Sequence, residues 1–131
     1  MTSLGHPSAL VHAVIGAFFD VYNELGYGLH ERVYCAALEI LLLERGYSVR
    51  REVPIAIFFH GKRIGRLRSD MIVNDTLMIE SKAGPLLRTG SKAQLINYQK
   101  RAGLEFGLLL FFGPVPEFTK IHLPCGTRDV H

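Results

Sequence analysis

The sequence has few cysteines and no apolar segment long enough to cross a lipid bilayer. Its two cysteines, Cys35 and Cys125, stand ninety residues apart and form no CxxC pair. We therefore expect reduced thiols in a cytoplasmic protein, with Cys35 buried in a helix. The longest apolar stretch near the N-terminus, ALVHAVIGAFF, is too short for a transmembrane helix, and no basic segment precedes it. These features predict no membrane span and no signal peptide.

Repeats, low-complexity segments and a strong charge excess are also lacking. Fifteen Lys and Arg face twelve Asp and Glu, so the formal net charge is only +3, which permits a polyanionic partner without demonstrating one. The apolar fraction of 48% and the charged fraction of 21% are those of an ordinary globular protein rather than a disordered one. At 131 residues the chain is long enough to bury a core, and we predict one domain spanning 1–131.

Hydrophobic periodicity and turn residues divide the chain into helices and strands. Ser8 is the predicted N-cap of the first helix, and Gly26 is its predicted C-terminal stop. A helix between the third and fourth strands makes a crossover, so these two strands are predicted to be parallel. The predicted class is α/β, a mixed central β-sheet flanked by helices. Helices are predicted at 8–25, 29–45 and 89–102, and strands at 49–59, 63–73, 76–82, 107–113 and 118–123.

Apolar spacing also predicts which helix faces are buried. In the third helix the sheet-facing stripe is predicted to contain Ser91, Leu95 and Ala102, on the side that carries Gln94 and Tyr98. An inward glutamine needs a polar partner, which an acidic cluster at the end of the sheet would supply. The alternative is a helix-edge glutamine beside a half-buried tyrosine. In the second helix the predicted apolar side comprises Leu29, Val33, Ala36, Ala37, Ile40 and Leu41.

The segment RSDMIVNDTLMIESK, residues 68–82, is typical of a β-hairpin, yet its apolar strands end in charged side chains. Asp70 is predicted to lie opposite Glu80 across the Asn-Asp turn, and Lys82 shares a strand face with Glu80. Two opposed carboxylates repel unless a cation lies between them, and Mg²⁺ accepts such ligands while keeping sites for water and phosphate. Lys82 adds positive charge where an anionic transition state would develop. The alternative is a solvated strand end with an ordinary Glu–Lys pair.

The segment GLHERVY places Glu31 in the first turn of the second helix and Tyr34 on the same face. A glutamate at this position also compensates the helix dipole, which is its simplest explanation. HERVY approaches the zinc-binding HExxH pattern, but Tyr34 takes the position of the second histidine and no third ligand is evident. We therefore reject a zinc site.

Basic residues are concentrated on the strand that leads to Asp70 and around the third helix. The first group, Lys62, Arg63, Arg66 and Arg68, is predicted to follow a phosphate backbone towards the carboxylates. Protection of a sheet edge by charge is the alternative. No interleaving of aromatic and basic residues indicates stacking on a single strand. The second group comprises Arg88, Lys92, Lys100 and Arg101.

Four sequence elements together resemble the GxxExxY family of the PD-(D/E)XK nuclease superfamily. The resemblance covers about residues 10–123, and the four elements stand in the order and spacing of that family. Ser81, Gly84 and Gln99 depart from residues common in the family, and none of them is at a proposed catalytic position. The four elements are Gly28-x-x-Glu31-x-x-Tyr34, Asp70 with Glu80-Ser81-Lys82, Gln94 to Tyr98, and the strand GLLLFFG at 107–113.

The resemblance implies a restriction-endonuclease-like αβββαβ core, here with an additional N-terminal helix. It implies that Asp70 and Glu80 bind Mg²⁺, with Mn²⁺ as a substitute, and that Lys82 lies near the attacking water. By the same resemblance Glu31 supplies a further carboxylate, and Gln94 orients the water or the scissile phosphate. Tyr98 joins the basic strand residues as a nucleic-acid contact.

Two functions are consistent with these features. The first is a Mg²⁺-dependent nuclease that hydrolyses phosphodiester bonds, with DNA as the expected substrate. The second is a nucleic-acid- or partner-binding module that keeps the fold without turnover. The intact set of Asp70, Glu80 and Lys82 favours the nuclease. A domain of this size offers little surface for selecting a substrate, so a homodimer or a partner protein is a further expectation.

Overall fold

A five-stranded mixed β-sheet runs through the centre of the protein, in a computed structural model that describes residues 7–124. The strands are β1 (Val49–Phe59), β2 (Lys62–Val73), β3 (Leu77–Ala83), β4 (Phe106–Phe112) and β5 (Pro116–His122). They lie side by side in chain order. All neighbours are antiparallel except β3 and β4, which are parallel because helix α3 (Ser91–Ala102) connects them as a crossover. The predicted parallel pair is confirmed.

The helices cover both faces of this sheet. α1 (Pro7–Leu25) and α2 (Glu31–Glu44) pack against one face, in a core cluster with the inward side chains of β2, β3 and β4. α3 packs against the other face, in a second cluster with residues of all five strands. The predicted α/β class is confirmed, including the αβββαβ core that runs from α2 to β4 and the additional helix α1. No helix among residues 7–124 is long and apolar enough to span a membrane.

The predicted burial of Cys35 in a helix is confirmed. Cys35 lies in α2, is 4% exposed and forms no disulfide bond within residues 7–124. Cys125 lies outside the described residues.

The prediction for the apolar side of α2 is wrong. The buried side chains of this helix are Tyr34, Cys35, Leu38 and Leu42. Ile40, from the predicted face, is 58% exposed. The helix carries apolar residues around most of its circumference, so periodicity alone does not choose the face that packs. Leu29 and Val33 are also exposed, whereas Ala37 and Leu41 are partly buried against the core.

Several element boundaries also differ from the prediction by one or two residues, including the starts of α1 and α3. The described part of α1 already includes Pro7, so Ser8 lies inside the helix rather than capping it; proline suits a first helical turn because its missing N–H has no partner there. α3 begins at Ser91 after Gly90, whose φ of +97° lies in the left-handed region.

The turn between β2 and β3 covers residues 74–76 instead of Asn74 and Asp75 alone. Both Asn74 and Asp75 have a φ of +52°, and Thr76 N–H donates to the Val73 carbonyl at 3.0 Å. Val73 pairs with Leu77 across the longer turn, and this register still aligns Asp70 with Glu80, as predicted.

Gln99 is a buried polar residue of α3 that the sequence did not predict. It lies in the sheet-facing stripe with Ser91 and Leu95, and it is fully buried. Its side-chain amide donates to the Glu105 carbonyl at 3.1 Å. A Cβ atom at Gly107 would overlap the side-chain amide of Gln99, so glycine at the start of β4 makes room for this side chain.

Candidate active site

β2 loses its regular pairing at Asp70. The β1–β2 ladder has partners for the residues on either side of Glu52 and Asp70, but none for these two. Glu52 has a φ of +52°, a conformation that residues other than glycine seldom adopt. The β2–β3 pairing runs from Val73 only as far as Met71. The peptide groups around Asp70 therefore need partners other than a neighbouring strand.

Side chains supply those partners. The Asp70 N–H donates to Glu80 Oε2 at 3.1 Å, and the Ser81 N–H donates to Asp70 Oδ2 at 2.9 Å. The two carboxylates thus replace the missing rung of the sheet and face each other across the strand ends. The predicted opposition of Asp70 and Glu80 is present in the structure.

Glu80 is the most deeply buried carboxylate of this group, with 3% of its surface exposed. Burial, followed by the negative charge of Asp70, raises its pKa from the ordinary 4.5 to about 8. Hydrogen bonds from the Asp70 N–H and the Ser69 hydroxyl, and the charge of Lys82, oppose this shift of the pKa. A carboxylate in such a place is stabilised by a proton or by a cation.

Glu31 approaches the same carboxylates from α2. It begins the helix and is partly buried, and burial is the main cause that raises its pKa. The charge of Asp70 and a hydrogen bond with its side chain also raise the pKa of Glu31, whereas Lys82 lowers it. Glu31 is therefore more than a glutamate that compensates a helix dipole, because it forms part of a cluster of three carboxylates and one ammonium.

Tyr34 holds the loop that leads into Glu31. Its hydroxyl donates to the Gly26 carbonyl and accepts the Leu29 N–H at 3.2 Å. Its ring is fully buried and stacks on Phe112 of β4, with 4.1 Å between ring centroids and 10° between ring planes. The sequence predicted Tyr34 on the same helix face as Glu31. In the structure its hydroxyl holds the loop that precedes Glu31.

Lys82 and Gln94 line one cavity beside the carboxylates, of about 550 Å³. Glu31 forms part of the same wall. The side-chain amide of Gln94 donates to the Tyr98 hydroxyl at 3.0 Å, so its polar partner is Tyr98 rather than a carboxylate. Tyr98 itself is half-buried against the cluster under α3.

Arg88 is a cavity residue that the site prediction missed. It lies on the rim beside Lys82, just before the first turn of α3. The unpaired N–H groups of a helix N-terminus and two basic side chains both favour an anion. The one signal available in the sequence was a basic group around the third helix, which did not indicate a place beside Lys82.

A second cavity of about 330 Å³ lies on the other side of Glu31 and Asp70. Its wall includes His30, Arg32 and Arg68. His30 and Arg32 flank Glu31 in the chain and were not predicted as site residues. The two cavities share Glu31 as a lining residue, and each has basic residues on its wall.

The basic residues of β2 are spread along the strand instead of forming one patch. Arg68 lies beside the site and forms an ion pair with Glu52 at 3.7 Å. Arg66 is exposed further along β2, and Lys62 and Arg63 are exposed at the far end of the hairpin. The structure therefore brings Arg68 to the carboxylates and keeps the other three away from them.

No group of three or more His, Cys, Asp or Glu side chains within residues 7–124 is arranged to hold a metal ion. The donors available are the opposed carboxylates of Asp70 and Glu80, with Glu31 beside them. A hard cation that keeps most of its water fits such a set, because Mg²⁺ commonly uses only one or two protein carboxylates.

Comparison with known proteins agrees with this geometry. A family model described as the PD-(D/E)XK nuclease superfamily matches residues 8–121. The crystal structure of SSO0001 is similar to 73% of this chain, with a TM-score of 0.58 and 23% sequence identity. This chain spans only 52% of that one, and the likeness concerns the fold alone. A search of curated proteins gives no match.

Proposed function

The chain belongs to the PD-(D/E)XK nuclease superfamily, and from this membership we propose that it is a Mg²⁺-dependent nuclease that hydrolyses phosphodiester bonds in DNA. We further assign it to the GxxExxY family, on the residues Gly28, Glu31 and Tyr34. The observation that carries the proposal is the charged cluster that Glu31, Asp70, Glu80 and Lys82 form, from one helix and two strands, beside two cavities that share Glu31.

Asp70 and Glu80 would hold the metal ion. Both are fixed by backbone N–H groups, so their positions do not depend on the flexibility of a long side chain. The raised pKa of Glu80 means that its surroundings disfavour an uncompensated negative charge and favour a bound cation. When bound, Mg²⁺ or Mn²⁺ would polarise a phosphoryl oxygen and make a water molecule more acidic.

The remaining side chains would act on the phosphate and the water. Lys82 has an ammonium at the wall of the larger cavity, where it would stabilise negative charge that develops during attack. Gln94, whose amide is oriented by Tyr98, would position the water or a non-bridging phosphate oxygen. Glu31 would add a third carboxylate, able to accept a proton or a hydrogen bond from the water.

DNA binding is supported by the distribution of basic side chains. Lys82 and Arg88 lie in the wall of one cavity, and Arg68 lies with Asp70 in the wall of the other. A phosphate backbone that passes over the carboxylates would meet both. The proposal also includes association with a second copy of the chain or with a partner protein, which sedimentation velocity would measure. A cytoplasmic location is a further part of the proposal.

A cleavage panel tests the function. Labelled single-stranded, duplex, flap and junction DNA, and the matching RNA substrates, would be incubated with the protein and Mg²⁺, Mn²⁺ or EDTA. We expect metal-dependent cleavage of at least one DNA substrate, lost in Glu80→Gln and kept in Glu117→Gln, which changes an exposed carboxylate of β5. Metal-dependent binding without cleavage of any substrate would instead identify a nucleic-acid-binding module.

A further inference from the structure

The β1–β2 hairpin ends in exposed apolar side chains. Phe58, Phe59 and Ile64 are 57%, 60% and 65% exposed. Phe58 pairs with Arg63 and Phe59 with Lys62, and the ladder is irregular next to Ile64. We call residues 58–64 the hairpin tip.

Neither face of the hairpin tip is covered by the rest of the protein. Successive residues of a strand point to opposite faces, and both Phe58 and Phe59 are exposed. Further down the same strand, Val53 and Ile55 are buried in the cluster under α3. The hairpin tip therefore extends beyond the helices, and its aromatic rings do not contribute to a core.

Two rings at the tip lie face to face, so the flat surface that each presents is its outer face. Phe59 and His60 are stacked, with 4.0 Å between ring centroids and 12° between ring planes. His60 and Gly61 both have positive φ, at +49° and +75°, which gives the tight turn that carries the histidine ring. A flat aromatic surface of this kind accepts a further planar ring by stacking.

Cationic side chains surround these rings. Lys62, Arg63 and Arg66 are exposed, and none of them forms an ion pair within residues 7–124. Exposed aromatic rings beside unpaired cations are typical of surfaces that bind unpaired nucleic acid, where bases stack and phosphates pair with Lys or Arg. The sequence analysis found no interleaving of aromatic and basic residues; in the structure Phe58 pairs with Arg63 and Phe59 with Lys62 across the turn.

We propose that the hairpin tip binds an unpaired base of a nucleic-acid strand, by stacking on Phe58 or Phe59 while Lys62 and Arg63 contact the adjoining phosphates. The inference rests on the proposed function and names its substrate class, nucleic acid with a single-stranded or frayed segment. Charge favours a nucleic acid over a protein partner, since the cations of the tip have no acidic neighbours to pair with in the described residues.

The distance between the tip and the carboxylates gives the proposal a scale. Lys62 and Asp70 are eight residues apart on β2, or about 26 Å at about 3.3 Å per residue. A helical nucleic-acid strand advances about 3.4 Å per nucleotide. An unpaired base at the tip would therefore lie roughly seven or eight nucleotides from a phosphate at Asp70. Cleavage should fall at about this distance from the unpaired segment.

The test measures stacking without cleavage. A single-stranded oligonucleotide that contains 2-aminopurine would be titrated with protein in EDTA, and its fluorescence would report both stacking and affinity. We expect wild-type protein to quench the fluorescence. The double variant Phe58→Leu/Phe59→Leu, which keeps apolar area and removes the rings, should lose the quenching and bind on the order of tenfold more weakly. Val115→Ala, at an exposed apolar residue outside the tip, should behave as wild type.

Substitution of the basic residues tests the phosphate contacts independently of the stacking. Lys62→Ala/Arg63→Ala should keep the quenching at low salt and should lower the salt slope of binding by about 0.7 for each phosphate that the variant no longer neutralises. Wild-type quenching by the leucine variant would overturn the proposal. So would a wild-type dimer in sedimentation that the leucine variant abolishes, since the tip would then be a protein interface.

Failure of this inference is distinguishable from failure of the proposed function. A protein that quenches 2-aminopurine and cuts nothing would keep the base-binding tip and lose the nuclease. A wild-type protein that cuts DNA without quenching 2-aminopurine, and whose leucine variant cuts with full activity, would keep the nuclease and lose the base-binding tip.

Discussion

Asp70 and Glu80 each accept a hydrogen bond from the backbone of the other's strand. The Asp70 N–H donates to the Glu80 carboxylate, and the Ser81 N–H, which follows Glu80, donates to the Asp70 carboxylate. The two carboxylates consequently have fixed positions before any ligand arrives. Such preorganisation lowers the cost of assembling a site around a cation or a reacting group. It also makes the folded chain sensitive to changes in the charge of either side chain.

We expect divalent cations to bind at this pair. Isothermal calorimetry should show binding of Mg²⁺ and Mn²⁺ that is lost in Asp70→Ala, because one of two opposed ligands is removed. Asp75→Ala, in the turn at the other end of the same hairpin, should bind as wild type. Ca²⁺ should bind and support little cleavage, since its looser geometry positions water poorly. Equal binding by Asp70→Ala would place the cation elsewhere.

Stability of the metal-free protein should fall as pH rises. The pKa of Glu80 is raised from 4.5 to about 8 in the folded state, so the folded protein retains a proton that the unfolded chain releases. The free energy of unfolding therefore decreases between about pH 4.5 and pH 8, and the raised pKa of Glu31 acts in the same direction. Thermal unfolding in EDTA should show Tm decreasing across this range.

Glu80→Gln should flatten that dependence, because the amide does not titrate. Glu117→Gln is the control and should keep the slope of the wild type. Mg²⁺ added at pH 8 should raise the Tm of the wild type more than that of Glu80→Gln. A Tm that is equally dependent on pH in wild type and Glu80→Gln would show that another group causes the loss of stability.

Lys82 should affect the rate and leave binding almost unchanged. Lys82→Met keeps the aliphatic stem and removes the charge, so the variant no longer stabilises the transition state at this point. Single-turnover cleavage should slow by on the order of a hundredfold or more, while binding measured in Ca²⁺ stays within about twofold of wild type. Lys120→Met, on β5, is the matched control. Cleavage by Lys82→Met at the wild-type rate would remove this residue from the mechanism.

Tyr34 is expected to position Glu31 through the loop before it. Tyr34→Phe removes a hydroxyl that serves both Gly26 and Leu29, at a cost of about 1–2 kcal/mol of folding free energy. We expect kcat to fall on the order of tenfold or more with KM nearly constant, measured well below the Tm of the variant.

Tyr22→Phe separates positioning from stability. The Tyr22 hydroxyl also donates to backbone carbonyls, those of Gly113 and Pro114, and none of these three residues lines either cavity of the site. Its removal should lower the Tm by a similar amount and leave kcat unchanged. Equal effects of the two variants on kcat would mean that Tyr34 only stabilises the fold.

The sequence was sufficient for the elements and for the central pair of carboxylates. The order of helices and strands along the chain and the parallel pair follow from periodicity and from the crossover. The alignment of Asp70 with Glu80 follows from the intervening turn. The buried face of α2 could not be predicted, because its apolar residues surround the helix. The approach of Glu31 to Asp70, and of Arg88 to Lys82, depends on how separate elements pack, which no local pattern encodes.

The stack between Tyr34 and Phe112 joins two motifs that lie far apart in the chain, one at the loop before Glu31 and the other at the end of β4. A substitution at Phe112 would alter the packing of the Tyr34 ring, whose hydroxyl holds that loop. The two positions are consequently an epistatic pair, with substitution effects that do not add. Phe112 is therefore linked to the position of Glu31 through the ring and the hydroxyl of Tyr34.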